Sequence, residues 1–195
     1  MSTLTAVAPA PPRPTVWTVP RFHDVREAGH WDGRRAILIR GTVWELGPMN
    51  PPHATAVTLA IEALRTAFGT GFHSRVQLPL VLSLDTDPFP DVAIVNGAAR
   101  DYLTSHPTTA ALVLEVADSS LDLDTTVKAE LYATAGIADY WVLDLEGRRL
   151  LVFRDPTPLS PGGVAYRTHL VYLPADSVAP LAAPNSLVRV GDLLP

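Results

Sequence analysis

The stretch Ala111-Leu112-Val113-Leu114-Glu115-Val116-Ala117 constrains the fold more than any other part of the chain. An apolar run of this length reads as a strand covered on both faces. Glu115 interrupts it. Glutamate is almost never fully buried unless it is paired or bound to something. The candidate partner lies upstream, in Pro90-Asp91-Val92-Ala93-Ile94-Val95, where an aspartate stands at the mouth of a second apolar strand. Two carboxylates brought together at strand ends repel and raise a pKa. A divalent cation would remove that repulsion.

A chain of 195 residues allows one domain with a sizeable core. Residues 1–15 are rich in Pro and Ala and read as a disordered arm, leaving 16–195 as a single domain. With no cysteine, disulfides and thiolate zinc sites are excluded. No apolar run approaches the roughly 20 residues of a spanning helix, and no signal-peptide pattern opens the chain, so no membrane and, by default, the cytoplasm are expected. The net charge of −5 means that a nucleic-acid partner would need a local basic patch.

Along the chain, residues 21–33 suggest a short helix and turn, and residues 36–46 a hairpin with Gly41 at the position needing positive φ. A helix is expected over 53–68, because Val57, Ile61, Leu64 and Phe68 share one stripe. His53 projects from its first turn on that face. Residues 72–84 read as a strand, with Pro79 at an edge or bulge. After the Glu115 strand, Ser119 and Asp122 have capping-box spacing, and one helix should start between Ser120 and Asp124 and end before Gly136. A hairpin follows over 139–153, and further strands are expected at 164–173 and 186–190. Helices interleaved with strands around one sheet indicate α/β or α+β.

On the expected helix, Asp124, Lys128 and Tyr132 recur at a spacing of four and share a face. Lys128 borders the buried face and can reach back over the strand end that carries Glu115. Asp91, Glu115 and Lys128 would then meet at one rim of the sheet. Two acids and a lysine are what metal-dependent phosphodiester hydrolysis needs. The acids hold Mg²⁺ or Mn²⁺, and the lysine offsets charge at phosphorus or orients water. Taken singly, Asp124–Lys128 reads as a solvated helix pair, Asp91 as a turn residue, His53 as a core histidine and Glu45 as the polar face of a strand. The argument rests on the three together.

The run Pro88-Phe89-Pro90-Asp91, Leu114-Glu115-Val116-Ala117-Asp118-Ser119-Ser120, Asp124…Lys128…Leu131-Tyr132-Ala133 and Gly136-Ile137-Ala138-Asp139-Tyr140-Trp141-Val142 resembles the Uma-two family of restriction-endonuclease-like proteins. The resemblance extends to Gly41, Glu45, Pro48, His53 and Val76-Gln77-Leu78-Pro79, and covers residues 37–154. It implies an α/β fold of the PD-(D/E)XK nuclease type, a central mixed sheet flanked by helices with extra antiparallel hairpins. Asp91 and Glu115 would be the motif acids and metal ligands, with the Val116 carbonyl as a further ligand. The usual lysine position, two after the glutamate, is Ala117; Lys128 on the following helix would take its place. His53, Glu45, Asp124 and Tyr132 would support the site. The family also often carries glutamates at the positions of Ile37 and Thr42 and an aspartate at that of Arg40, and this chain lacks all three.

The expectation is a Mg²⁺-dependent endonuclease acting on nucleic acid, DNA before RNA. The alternative is a binding or regulatory module that keeps the fold without turnover. Cutting a duplex needs two sites, which a two-fold homodimer would supply. The apolar 140–143 and 150–153 hairpin and the segment after Val164 offer surface for it. On the sequence alone, Lys128→Ala should abolish cleavage and leave the melting temperature nearly unchanged.

Overall fold

The computed structural model of the chain describes residues 13–195. Residues 1–12 of the expected arm lie outside the described residues. Among the described residues the α-helices are α1 (Val19–Glu27), α2 (Pro51–Phe68), α3 (Leu121–Thr125) and α4 (Val127–Thr134). The strands are β1 (Arg35–Ile39), β2 (Thr42–Leu46), β3 (Phe72–Arg75), β4 (Val92–Asn96), β5 (Leu112–Ala117), β6 (Asp139–Asp144), β7 (Arg149–Pro158), β8 (Val164–Tyr172), β9 (Ser177–Val178) and β10 (Val188–Arg189).

β3 to β8 make one six-stranded sheet in the order β3-β4-β5-β6-β7-β8. All neighbours are antiparallel except β5 and β6, which run parallel. A parallel pair cannot be joined by a tight turn, and α3–α4 provide the crossover. The β1–β2 hairpin and the β9–β10 pair are separate two-stranded sheets.

Strand alternation divides the core into two layers. Leu112, Leu114 and Val116 of β5, with Trp141 and Leu143 of β6, face α2 and the C-terminal segment. Val113 and Ala117, with Tyr140 and Val142, face α4 and the β1 side chains Ile37 and Ile39. Glu115 shares the parity of Val113 and Ala117, so its side chain enters the α4 layer. It is 2% exposed there.

The β1–β2 turn has positive φ at both central residues, 48° at Arg40 and 71° at Gly41, as a two-residue hairpin requires. The strand expected over 72–84 is confined to Phe72–Arg75. Gln77 turns the chain with φ 50°, and Pro79 has no N–H to give a ladder. The chain beyond runs as an irregular arm whose Leu80 and Leu82 N–H groups reach Pro88 and Thr86 carbonyls.

The helix expected after β5 is broken at Thr126, where φ is −116° and ψ −82°. The hydroxyls of Thr125 and Thr126 bond back to the carbonyls of Leu121 and Asp122 at 2.7 and 2.6 Å, a pattern that bends helices. The Ser119–Asp122 capping box does not form. Ser120 is the N-cap, and its hydroxyl donates to the Asp124 carboxylate instead.

Candidate active site

β4 and β5 pair from Ile94↔Leu112 to Val92↔Leu114, and there the ladder stops. The next residues outward are Asp91 and Glu115, which places the two acids side by side at one sheet rim. The Asp91 N–H points at Glu115 Oε2, 3.3 Å away. The Val116 N–H donates to Asp91 Oδ2 at 2.9 Å. A strand residue's N–H and C=O point to the same side, so the Val116 carbonyl also faces the gap where β4 has ended.

Each carboxylate has a full set of partners. Asp91 Oδ1 accepts from the Gln77 side-chain amide at 3.0 Å, and Oδ2 lies 3.2 Å from His53 Nε2. Glu115 Oε1 accepts from the Tyr132 hydroxyl at 2.7 Å, and Oε2 lies 3.1 Å from Lys128 Nζ. Lys128 Nζ is also 2.8 Å from Asp124 Oδ1. α3 and α4 thus act together despite the break, since Asp124 lies near the end of one and Lys128 near the start of the other.

These contacts set the electrostatics. Burial pushes the Glu115 carboxyl up to about 7; Lys128 opposes this, while Asp91 and Asp124 add to it. Burial also works against the Asp91 carboxylate, yet the His53 hydrogen bond and charge, the Val116 N–H and Gln77 hold it below the usual value. The Asp91 hydrogen bond raises His53, against its burial. Lys128 is held above the ordinary lysine value, because the charges of Glu115 and Asp124 outweigh its desolvation. The two acids are thus pushed in opposite directions, Glu115 up and Asp91 down, and perturbed carboxyls of this kind gather at functional sites.

The acids open onto a pocket of about 110 Å³. Arg35, Met49, Asn50 and His53 line one side, and Asp118, Ser119 and Ser120 the other. Asn50 caps α2 by accepting from the His53 N–H at 3.0 Å, and its amide donates across the mouth to Asp118.

Of the residues expected at a site, Asp91, Glu115, Lys128, His53, Asp124 and Tyr132 come together. Glu45 does not. It pairs with Arg34 at 2.8 Å on the exposed surface of the hairpin and does not line the pocket, because the strand's alternation turns it outward. Ile37 is buried in the α4 layer, and Arg40 pairs with Glu130. Arg35 and Gln77 were not foreseen. Arg35 has no local sequence signal. Gln77 is a non-glycine residue at positive φ, an unusual state that the sequence does not announce.

A metal could be held by oxygen donors only: the Asp91 and Glu115 carboxylates and the Val116 carbonyl. Among the described residues no three His, Asp or Glu side chains form a metal cage. Mg²⁺ does not need one, since it binds through one or two carboxylates and keeps several waters. Glu115, raised chiefly by burial and further by the charges of Asp91 and Asp124, is where a cation would bring relief. The donor set fits Mg²⁺ or Mn²⁺.

The profile of the Uma2 family, described as "Putative restriction endonuclease", matches residues 21–187. Among solved structures, the chain is similar to a protein from Anabaena variabilis ATCC 29413 described as a "putative nuclease belonging to DUF820". The TM-score is 0.64 at 13% identity, over 81% of this chain and 88% of that one. This likeness shows the fold, a mixed sheet flanked by helices. The type IIG restriction endonuclease BpuSI aligns over 61% of this chain and 13% of its own, with 18% identity and a TM-score of 0.38, too low to bear on the fold. No curated protein matches the chain.

Proposed function

The chain belongs to the Uma2 family, and on that premise we propose that it is a metal-dependent endonuclease that hydrolyses phosphodiester bonds in nucleic acid, DNA before RNA. The observation that supports this most is the meeting of Asp91, Glu115 and Lys128 at one rim, with Lys128 Nζ 3.1 Å from Glu115. Bound by Asp91, Glu115 and the Val116 carbonyl, Mg²⁺ or Mn²⁺ would polarise the phosphate and acidify a water.

The chain's own residues do the rest. His53 and Gln77 fix the orientation of Asp91. Tyr132 does the same for Glu115. Lys128 keeps Glu115 ionisable in a buried setting and brings positive charge to the reacting end of the pocket. Asp124 holds Lys128 in place. A duplex target would call for a two-fold pair of chains, one site per strand.

A second reading is a binding module without turnover. It is favoured by Ile37, Thr42 and Arg40, at whose positions the family resemblance would lead one to expect acids. Supercoiled plasmid and single-stranded DNA, incubated with Mg²⁺ or Mn²⁺, separate the two readings. Cleavage by the native chain and none by Glu115→Gln is expected. Mg²⁺ should also raise the melting temperature of the native chain and not that of Glu115→Gln. Binding of DNA with no cleavage in either metal would leave the module.

A further inference from the structure

We propose that Arg35 is the anion-binding residue of the pocket, its guanidinium taking a non-bridging oxygen pair of the phosphodiester that enters beside Asp91. The proposal deepens the nuclease reading by assigning the substrate's anchor. It rests on how the cations around the pocket are engaged.

Lys128 is the only lysine in the chain. Its side chain is 8% exposed and its ammonium is shared between Glu115 and Asp124. It has no free approach to an incoming anion. His53 has its Nε2 on Asp91. Arg35 differs from both. Its side chain is 34% exposed and lines the pocket. Its Nη2 lies 3.8 Å from Asp91 Oδ1, within ion-pair range but beyond a hydrogen bond. Asp91 does not depend on it, since Gln77, His53 and the Val116 N–H already serve that carboxylate. Among the described residues the Arg35 guanidinium donates no hydrogen bond. By contrast Arg34, Arg40, Arg149 and Arg154 are each matched to a carboxylate at 2.8 Å.

β1 aims it. Arg35, Ile37 and Ile39 share one strand face, and Ile37 and Ile39 are packed in the α4 layer. The Arg35 side chain therefore leaves the hairpin over the rim where β4 and β5 end. A planar fork with unmatched donors next to a metal-type acid pair suits the bidentate geometry of a phosphate. On a chain of net charge −5, one placed guanidinium also decides where a polyanion settles.

Fluorescence anisotropy of a short fluorescein-labelled DNA strand, single or duplexed, in metal-free buffer tests this without turnover. Arg35→Ala should bind about tenfold more weakly, the loss of one charge-assisted contact. It should also flatten the log–log salt dependence by about one released ion. Arg35→Lys should restore the salt dependence and only part of the affinity. The melting temperature should move little, because Gln77, His53 and the Val116 N–H keep the buried Asp91 satisfied without Arg35. Equal affinity and equal salt slope for native chain and Arg35→Ala would overturn the proposal, and so would a native chain that binds neither strand form. If the native chain binds but does not cleave with Mg²⁺ or Mn²⁺, the nuclease reading fails while the Arg35 assignment still stands or falls on the variant's affinity.

Discussion

At the scale of single residues, burial decides what substitutions cost. From the sequence, Lys128 is a border residue whose truncation spares stability. In the structure it lies between Glu115 at 3.1 Å and Asp124 at 2.8 Å with its side chain 8% exposed. Removing one member of a buried ion pair leaves charge uncompensated, at a cost of about 3–5 kcal/mol. Lys128→Ala should therefore lose both cleavage and stability in urea denaturation. Lys128→Arg, which keeps the charge, should recover much of the stability and little of the cleavage. A Lys128→Ala chain as stable as the native one would mean that Glu115 takes up a proton and dissipates the cost. Asp87 offers a pH-linked counterpart outside the site. It is fully buried, and burial pushes its carboxyl above the ordinary 3.8, against the His23 hydrogen bond and charge and the charge of Arg26. A raised folded-state value makes the folded chain hold the proton longer than the unfolded one. Its contribution is complete below the ordinary value and is lost as pH rises through the raised one. Asp87→Asn stays neutral throughout. Its melting temperature relative to the native chain should thus climb as pH rises above the ordinary aspartate value. A constant difference would show that Asp87 titrates normally.

At the scale of elements, α2 links stability to the site through its cap. Asn50 accepts from the His53 N–H, and that bond fixes the first turn from which His53 reaches Asp91. Asn50→Ala should cost about 0.5–2 kcal/mol in chemical denaturation and weaken cleavage through a displaced His53. Asn50→Asp should keep the cap but set a like charge against Asp118. Loss of activity in Asn50→Ala with no change in stability would place Asn50 at the substrate instead. The elements themselves were readable where one physical signal dominated. The apolar run around Glu115, the 139–153 hairpin and the two-residue turn at Arg40-Gly41 each follow from periodicity or from a φ requirement. Elements were misread where two signals competed. Residues 72–84 are β-branched and apolar enough for a strand, yet the turn at Gln77 diverts them. That diversion aims the Gln77 amide at Asp91. Thr125-Thr126 sat inside a helical stripe, and the stripe concealed the break that their hydroxyls produce. The Asp91–Glu115–Lys128 meeting was readable because a buried acid demands a partner. Arg35 was not, because its position depends on how a separate hairpin docks.

At the scale of the whole molecule, assembly turns on which apolar surface is left over. The hairpin of β6 and β7 was expected to supply it, and the structure removes that basis. Trp141, Leu143, Leu150 and Val152 are buried against α2 and the C-terminal Val188, Val190, Leu193 and Leu194. Tyr140, Val142 and Phe153 are buried in the α4 layer with Tyr166. The C-terminal segment thus fills a core of its own chain. The sheet has two outer strands among the described residues, β3 and β8, and β8 carries the longer exposed apolar stretch. Near its C-terminal end Leu170, Val171 and Leu173 are 38%, 57% and 57% exposed. An edge strand presents unpaired N–H and C=O groups; Arg167 guards the middle of β8, and the apolar stretch beyond it is the part open to pairing. Two copies meeting edge to edge about a two-fold axis would continue the sheet and give a duplex one site per strand. Light scattering at micromolar concentration should then give twice the 21.0 kDa chain mass. Val171→Lys, a charge on the pairing edge, should return the single mass. The same variant should nick a plasmid rather than cut both strands. A native chain that scatters as a single copy at that concentration, with activity that does not fall on dilution, would leave one site working alone.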